Sequence, residues 1–249
     1  MKKIIQFLVA NPVIFAIGSL VAYIFYGIVL GISLVPSGYL LYQAYRYLDF
    51  SQVPQFLLFF LCIGVSVYLF FITALLVFGL VERVLVIGFK PGRYSTKSFT
   101  FVRWLLYSGL HTFLLHFVLP YTTGTCWSKI FYRILGCKIG KNVFINTNGL
   151  HDAYLLELGD NVVIGGNTDI SCHIFEGNEL ILGKIRIGSD TLIGTGCYIM
   201  PGAEIGNHCN IGIYSYVRKK KKIEDNSMII AIPGLPAKQV VEIMKAKEK

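Results

Sequence analysis

The sequence predicts two structures in one chain, apolar membrane helices in the first half and an all-β parallel β-helix in the second. Two uncharged apolar runs come first, and each exceeds the roughly 20 residues that span a bilayer core. From residue 187 a bulky aliphatic residue then returns at every sixth position. Helices repeat apolar positions every three to four residues and half-buried strands every two, so a period of six instead indicates a coil with three short flat faces.

The two apolar runs occupy residues 4–45 and 51–81. We expect one membrane helix over about 13–34, between Pro12 and Pro36, and a second over about 55–80. With 54% hydrophobic residues and a mean hydropathy of +0.60, the chain is more apolar than an ordinary soluble domain. The first run is too long for a cleavable signal and lacks a small-residue cleavage site, so we expect it to be retained.

Basic residues lie before the first run and after the second, which are on the same side of the membrane if both runs cross it. They are Lys2 and Lys3 before the first run, and Arg83, Lys90, Arg93, Lys97 and Arg103 after the second. The loop between the runs has only Arg46, which Asp49 offsets. Because basic flanks stay in the cytoplasm, we expect a multi-pass protein of the cell inner (cytoplasmic) membrane with the β-helix on the cytoplasmic side.

The stretch from residue 99 to 120 is apolar but contains Arg103, His111 and His116. We expect it to be an interfacial or re-entrant segment that completes a membrane domain of residues 1–120, because polar side chains at membrane depth face protein or headgroups. The two histidines either hydrogen-bond within a helix bundle or line a passage. Residues 121–138 are expected to be a linker.

The six-residue column consists of Ile187, Ile193, Ile199, Ile205, Ile211 and Val217, and the position four residues after each of the five isoleucines is small. We expect the aliphatic side chains to stack inside a narrow prism, and the glycines that often follow them to supply the backbone freedom of the turns. Similar columns extend upstream to residue 139, so we expect the β-helix over residues 139–236. Residues 237–249 are expected to form an amphipathic helix that caps its open end.

Two breaks interrupt the six-residue count. One lies around His151 and Asp152, and the other follows Ile170, in the run C-H-I-F-E-G-N at residues 172–178. Insertions of this kind often carry the function of a regular solenoid. His151 and His173 are the histidines that lie at these breaks.

Residues 158–238 resemble the hexapeptide-repeat acyltransferases, left-handed β-helix enzymes that transfer an acyl group from a thioester. The run D-I-S-C-H at residues 169–173 is similar to the place where galactoside and related acetyltransferases keep their catalytic histidine. The repeats at residues 187–190 and 193–194, and the G-L-P-A-K run at residues 234–238, follow in the family's order. The resemblance says nothing about residues before Ile139; taken together with the apolar runs, it predicts a membrane-anchored member of this family.

The resemblance implies direct acyl transfer from acetyl-CoA or another acyl-CoA to a hydroxyl or amine of a lipid-linked or small-molecule acceptor. His173 is the expected general base, because the acceptor must lose a proton and the pKa of imidazole lies near neutrality. Asp152 or Glu176 is expected to orient its ring, and His151 is a second catalytic candidate. A backbone N–H is expected to bind the oxyanion, and no metal is expected.

The resemblance also implies that the donor lies along the later coils and that the protein is a homotrimer with sites between subunits. The expected donor contacts are Gly194, Gly196, Gly212, Ser215, Lys219 and Lys238. A basic run at residues 218–222, in a chain of net charge +9, favours anionic membrane lipid or CoA phosphates. Nucleic acid is not expected, because no aromatic platform or helix-turn-helix pattern accompanies the basic run.

Three alternatives stay open. Membrane helices followed by a β-helical unit also resemble the C-terminal regions of amino-acid-ligating synthetases, which predicts an amide product and a carrier-bound donor. A zinc hydratase of the γ-carbonic anhydrase kind needs an H-x4-H pair in the solenoid, whereas the pair here, His111 and His116, lies in the apolar segment. The third is a non-catalytic scaffold. Cys172 is either a packed thiol or a nucleophile, and the six cysteines show no C-x-x-C spacing.

Overall fold

The computed structural model describes residues 12–229 and consists of a helical part followed by a parallel β-helix. The helical part contains α1 (Pro12–Tyr47), α2 (Val53–Leu85), β1 (Gly92–Ser95), α3 (Phe99–Phe117), α4 (Leu119–Thr122) and α5 (Cys126–Leu135). Several expected features lie outside the described residues, namely the flanking Lys2 and Lys3, the last part of the β-helix from residue 230, the capping helix at 237–249 and Lys238.

α1 and α2 pack against each other, and the hydroxyl of Thr73 donates a hydrogen bond to the carbonyl of Ser33 at 2.7 Å. Both helices are long and apolar enough to cross a membrane, over residues 16–47 and 53–85. In the most apolar window of each helix, only 11% and 17% of the residues are buried within the structure. Most of their apolar side chains therefore point away from the protein.

The helical part differs from expectation in three places. We expected α1 to end near Leu34, but it continues through Pro36 to Tyr47. Packing of α1 against α2 can outweigh the loss of the one hydrogen bond that proline removes. α2 extends to Leu85, beyond the expected residue 80, because its last turns pack against α5. The linker expected at 121–138 contains α5 itself.

α3 occupies most of the ambiguous segment at residues 99–120. Ser98 caps its first turn by accepting a hydrogen bond from the amide of Phe101 at 3.2 Å. Arg103 projects from α3 to the end of α2, where its guanidinium donates to the carbonyls of Leu85 at 2.6 Å and Ile87 at 2.8 Å. Arginine is thus the C-terminal cap of α2, and this contact holds α3 against it.

The β-helix consists of three parallel sheets that each take one short strand from successive coils, and the expected fold is confirmed. The first sheet contains β2 (Lys138–Ile139), β5 (Leu156–Leu158), β10 (Ile185–Ile187), β13 (Glu204–Ile205) and β16 (Lys222–Ile223). The second contains β3 (Phe144–Ile145), β6 (Val163–Ile164), β11 (Leu192–Ile193), β14 (Asn210–Ile211) and β17 (Met228–Ile229). The third contains β4 (Leu150–His151), β7 (Asp169–Ser171), β12 (Tyr198–Ile199) and β15 (Tyr216–Val217).

The register of these sheets explains the six-residue period. Ile187 lies beside Ile205, and Ile193 lies beside Ile211. Three repeats of six residues therefore make one coil, and each aliphatic side chain stacks on its equivalent in the next coil. These side chains are buried and form the core of the prism. Burying an aliphatic side chain of this size contributes about 1.5–3 kcal/mol, so the column is the main source of stability of the β-helix.

Glycine has a different role in the coils from the one we expected. The glycines that follow the aliphatic column do not adopt positive φ; left-handed turn positions are taken mainly by polar residues such as Asn161, Asn167 and Asp190. Instead these glycines let adjacent coils approach closely. A Cβ at Gly194 would lie 2.7 Å from the amide nitrogen of Ile213.

The two breaks in the repeat form two structures that were not evident from the count alone. At the first, Asp152 adopts the left-handed conformation (φ 53°) and leads into a 3₁₀ turn at Ala153–Leu155. At the second, β8 (His173–Glu176) and β9 (Glu179–Leu182) form an antiparallel hairpin. β1 adds to the edge of β9, which joins the helical part to the β-helix.

Neighbouring glycines in one coil provide a test of the close approach. A Cβ at Gly165 would lie 2.6 Å from the amide nitrogen of Thr195, whereas the nearest atom to a Cβ at Gly166 is 3.6 Å away. Because backbone atoms cannot move aside as a flexible side chain can, we expect Gly165→Ala to destabilise the protein by about 1–3 kcal/mol. Gly166→Ala is the matched control and should be neutral or slightly stabilising. Chemical denaturation of both variants checks this, and equal stabilities would contradict it.

Candidate active site

The two breaks of the β-helix bring His173 and Asp152 into contact. Nδ1 of His173 lies 2.5 Å from Oδ2 of Asp152. The carboxylate is buried, with 1% of its side chain exposed, whereas 24% of the His173 side chain is exposed. Within residues 12–229, the hydrogen bonds of the ring, to Asp152 and to Ser171, all involve Nδ1. Nε2 is therefore the nitrogen left to face a ligand.

α3 holds the carboxylate of Asp152 in place. The indole Nε1–H of Trp104 donates to Oδ1 at 2.8 Å, and the hydroxyl of Tyr154 donates to the same oxygen at 3.1 Å. The hydroxyl of Tyr107, one turn along α3 from Trp104, accepts a hydrogen bond from the amide of Asp152 at 3.1 Å. A helix outside the solenoid thus fixes both the backbone and the side chain at the first break.

The surroundings change the ionisation of both partners. Burial by itself raises the pKa of Asp152, but hydrogen bonds from His173, Trp104 and Tyr154 outweigh it and hold the pKa below its ordinary value. Burial likewise lowers the pKa of His173, and the hydrogen bond and charge of Asp152 outweigh it, so this pKa is raised. An ionised Asp152 accepts the Nδ1 proton, which leaves Nε2 as a base.

A second acid–histidine pair lies behind the first. Nδ1 of His111 is 3.0 Å from Oε2 of Glu82 on α2, and its Nε2 is 3.1 Å from the carbonyl of Leu150. Because a carbonyl only accepts hydrogen bonds, Nε2 must donate to Leu150. Of the two alternatives for His111, the structure shows hydrogen bonding within the bundle. This contact fixes the backbone two residues before Asp152.

His151 lies between the two pairs. Its ring centre is 6.1 Å from that of His173 and 6.2 Å from that of His111, and its Nε2 is 3.5 Å from Oδ2 of Asp169. The three histidines border a small cavity of about 20 Å³ together with Trp104, Tyr107, Ser108, Thr112 and Asp152. A cavity of this size accommodates about one water molecule.

Glu176 does not orient His173. It forms ion pairs with Lys219 and, at 3.8 Å, with Arg93, because it lies at the opposite end of β8 from the histidine. Of the two carboxylates that we considered for this role, the structure therefore brings only Asp152 to the ring. Lys219, an expected donor contact, instead ties the hairpin to the last described coils.

The expected donor-binding groups of the later coils are used within the β-helix. The amides of Gly194 and Gly212 donate to Ile211 and Ile229 of the next coil, both at 2.7 Å. The amide of Gly196 donates to Gly166 at 2.9 Å, and the hydroxyl of the buried Ser215 donates to Gly212 at 2.6 Å. These contacts maintain the stacking of the coils, and the expected contact of these residues with the donor stays a prediction.

Two further candidates have structural roles. Cys172 is fully buried, and burial raises its pKa well above the ordinary thiol value, so it is a packed thiol and not a nucleophile. His116 hydrogen-bonds the carbonyl of Thr112 at 2.8 Å, on the same helix. In the part of the chain that the structure describes, no three His, Cys, Asp or Glu side chains are grouped so as to hold a metal ion.

Sequence reasoning missed Trp104, Tyr107 and Tyr154. Trp104 and Tyr107 lie about 45 residues before Asp152 in sequence. The available signal was that buried tryptophan and tyrosine usually need a hydrogen-bond partner. That rule does not say which partner, so the contact could not be assigned before the fold was known.

Residues 184–219 match the family model described as "Bacterial transferase hexapeptide (six repeats)". The similarity to this model is confined to those residues, which lie in the β-helix. Two curated relatives are similar to this chain. The Delta-poly-L-ornithine synthetase of Acinetobacter baumannii (strain AB307-0294) is 28% identical over 152 residues, 58% of this chain and 11% of that protein. YvoF of Bacillus subtilis (strain 168), whose name assigns an acetyltransferase activity only provisionally, is 30% identical over 93 residues, 36% of this chain and 54% of that protein.

The chain therefore spans about a tenth of the length of the first relative and about half of the length of the second. Among solved structures, a maltose O-acetyltransferase from Clostridium difficile 630 is similar, with 20% identity and a TM-score of 0.45. The similarity covers 61% of this chain and 93% of that one. At this level of identity it has no bearing on substrate or mechanism.

The Asp152–His173 contact predicts a measurable shift in the pKa of His173. In NMR titrations, we expect the pKa of His173 to lie above its ordinary value of about 6.5, and to fall in Asp152→Asn because burial then acts without an anionic partner. Asparagine tolerates the left-handed conformation of this position, so the backbone should be kept. An unchanged His173 midpoint in Asp152→Asn would contradict the contact.

Proposed function

We propose that this protein is a membrane-anchored acyltransferase that moves an acyl group, most simply acetyl, from acyl-CoA to a hydroxyl or amine of a lipid-linked or membrane-proximal acceptor. The observation that carries the proposal is the contact between Nδ1 of His173 and the buried carboxylate of Asp152. It leaves Nε2 free to act as a base at the break of a transferase-type β-helix.

The chemistry follows from these two side chains. Nε2 of His173 takes the proton of the acceptor O–H or N–H as the acceptor oxygen or nitrogen attacks the thioester carbonyl carbon. The tetrahedral oxyanion collapses, the C–S bond breaks, and the imidazolium returns the proton to the leaving thiolate of CoA. Asp152 stabilises the imidazolium that exists between these steps. His151 is close enough to contact the acceptor and is the second residue that we propose to bind it.

Membrane anchoring is supported by the two long apolar helices, whose side chains point mostly outward. The basic residues after α2 favour an inner (cytoplasmic) membrane protein with the β-helix on the cytoplasmic side, where acyl-CoA is found. The homotrimer expected for a transferase of this kind is part of the proposal. Light scattering of the detergent-solubilised protein measures the subunit number.

A second candidate function is amide-bond formation with a carrier-bound donor. The similarity to the Delta-poly-L-ornithine synthetase supports it, because a match of 152 residues is longer than residues 139–236 and must extend into the helical part. The same base would deprotonate an amine. Supplying amine and hydroxyl acceptors side by side, with CoA-bound and carrier-bound donors, distinguishes the two functions.

The test is thiol release from acetyl-CoA by detergent-purified protein, with a total lipid extract of bacterial membranes as acceptor. We expect His173→Ala to lower the rate about 10²- to 10⁴-fold, the usual contribution of a general base. His208→Ala, a change to an exposed histidine on a regular coil, is the control and should keep the wild-type rate. If His173→Ala remains as active as this control, or if the wild type releases no thiol, the proposed function is wrong.

The pH dependence gives an independent check. A general base must be unprotonated, so kcat/KM should rise with pH through the pKa of His173, with a midpoint above about 6.5 because Asp152 raises that pKa. In Asp152→Asn the rising limb should move to lower pH while the plateau falls, since the imidazolium loses its partner. A limb that stays in place in Asp152→Asn would assign it to another group.

A further inference from the structure

An apolar cavity of about 490 Å³ lies between the helices on the membrane side of the site. Its walls are mostly apolar and include Tyr23, Gly27 and Leu30 of α1, Phe78 of α2, and Phe113 and Phe117 of α3. His116 of α3, which we considered as part of a passage, also lines it. The volume falls within the range of about 300–1,000 Å³ that is usual for small-molecule sites. Tyr23 and Phe117 at its rim are 71% and 60% exposed, so the cavity opens on the outward-facing apolar surface of the helices.

The apolar cavity and the small cavity at His173 share one lining residue. Thr112 of α3 borders both the apolar cavity and the small cavity at His173. Its hydroxyl donates to the carbonyl of Ser108 at 2.7 Å, and Ser108 also borders the small cavity. Thr112 is exposed, so its hydroxyl is a polar group that a ligand in the apolar cavity can reach next to the His173 site.

We propose that the apolar cavity binds the long hydrocarbon chain of the acceptor, so that its hydroxyl or amine passes Thr112 and reaches Nε2 of His173. This inference rests on the proposed acyl transfer and adds the class of the acceptor, an amphiphile with a single apolar chain. A chain of this kind can enter from the lipid through the open rim. The charged CoA donor cannot enter between apolar walls without losing its hydration, so it must approach His173 from the β-helix side.

The helices offer a matched pair of positions for a test. Gly27 lines the cavity, and a Cβ at this position would have no atom within 4 Å, so a larger side chain can fill the space without displacing the wall. Gly31, one turn further along α1, is equally free of neighbours and does not line the cavity. Gly27→Phe should therefore block the chain, and Gly31→Phe should not.

The experiment uses the full-length protein in detergent and two probes, a long-chain primary alcohol and the same alcohol with a diazirine in its tail. In the wild type and Gly31→Phe, we expect photolabelling of peptides from α1 and α3, and thiol release from acetyl-CoA that depends on the long-chain alcohol. In Gly27→Phe both should fall at least about tenfold, the loss expected when two or more methylene groups are displaced. Thiol release with a short-chain alcohol should be the same in both variants.

Three results would overturn the inference. The first is equal labelling and turnover in Gly27→Phe and Gly31→Phe. The second is labelling spread over the outer surfaces of α1 and α2, which would indicate adventitious lipid only. The third is a changed preference of Gly27→Phe for the acyl length of the donor, which would place the donor in the cavity. Failure of the proposed function looks different, because thiol release would then not depend on His173 in the wild type. If Gly27→Phe shows no thermal unfolding transition and is therefore not folded, Gly27→Val takes its place in the experiment, because the smaller side chain fills less of the cavity.

Discussion

The buried charge of Asp152 is the constraint on which the rest of the site depends. A carboxylate with 1% exposure is costly to bury unless its oxygens are hydrogen-bonded and its charge is paired. Trp104, Tyr154 and His173 supply these partners from a helix, a 3₁₀ turn and a hairpin. None of these elements belongs to the regular repeat, and all three must be in place for the carboxylate to be stable.

This requirement makes the helical part and the β-helix one functional unit. α3 supplies Trp104 and Tyr107, α2 and α3 together supply the Glu82–His111 pair that binds the carbonyl of Leu150, and β1 extends the hairpin that begins at His173. Arg83 of α2 also donates to the carbonyl of Leu135 at 3.2 Å. The β-helix alone would lack most of the groups that position the acid and the base.

The repeat was predictable because a period of six leaves a direct mark in sequence, and the column from Ile187 to Val217 stacks as that period requires. The breaks were predictable for the same reason, since they interrupt the count, and they located His173 and Asp152. The partner of the histidine was not predictable, because the sequence offered two carboxylates, Asp152 and Glu176. Only the fold shows which of them contacts the ring. The contacts of Trp104 and the pairing of β1 with β9 depend on distant segments, and no local pattern encodes them.

Two local features take part in tertiary contacts that the sequence alone does not show. Pro36 disfavours a helix, but packing against α2 outweighs that preference. The amides of the glycines in the later coils complete the ladder between coils, and their expected contact with the donor stays a prediction. In both cases a local property is satisfied by tertiary contacts within the protein.

The central claim is that α3 acts on His173 through Asp152, and a double-mutant cycle measures this most directly. The cycle compares the catalytic rates of the wild type, Trp104→Phe, Asp152→Asn and the double variant. If the indole acts only through the carboxylate, Trp104→Phe lowers the rate in the wild-type background and has no further effect in Asp152→Asn. Effects of the two changes that simply add would contradict the account, because Trp104 and Asp152 would then act independently.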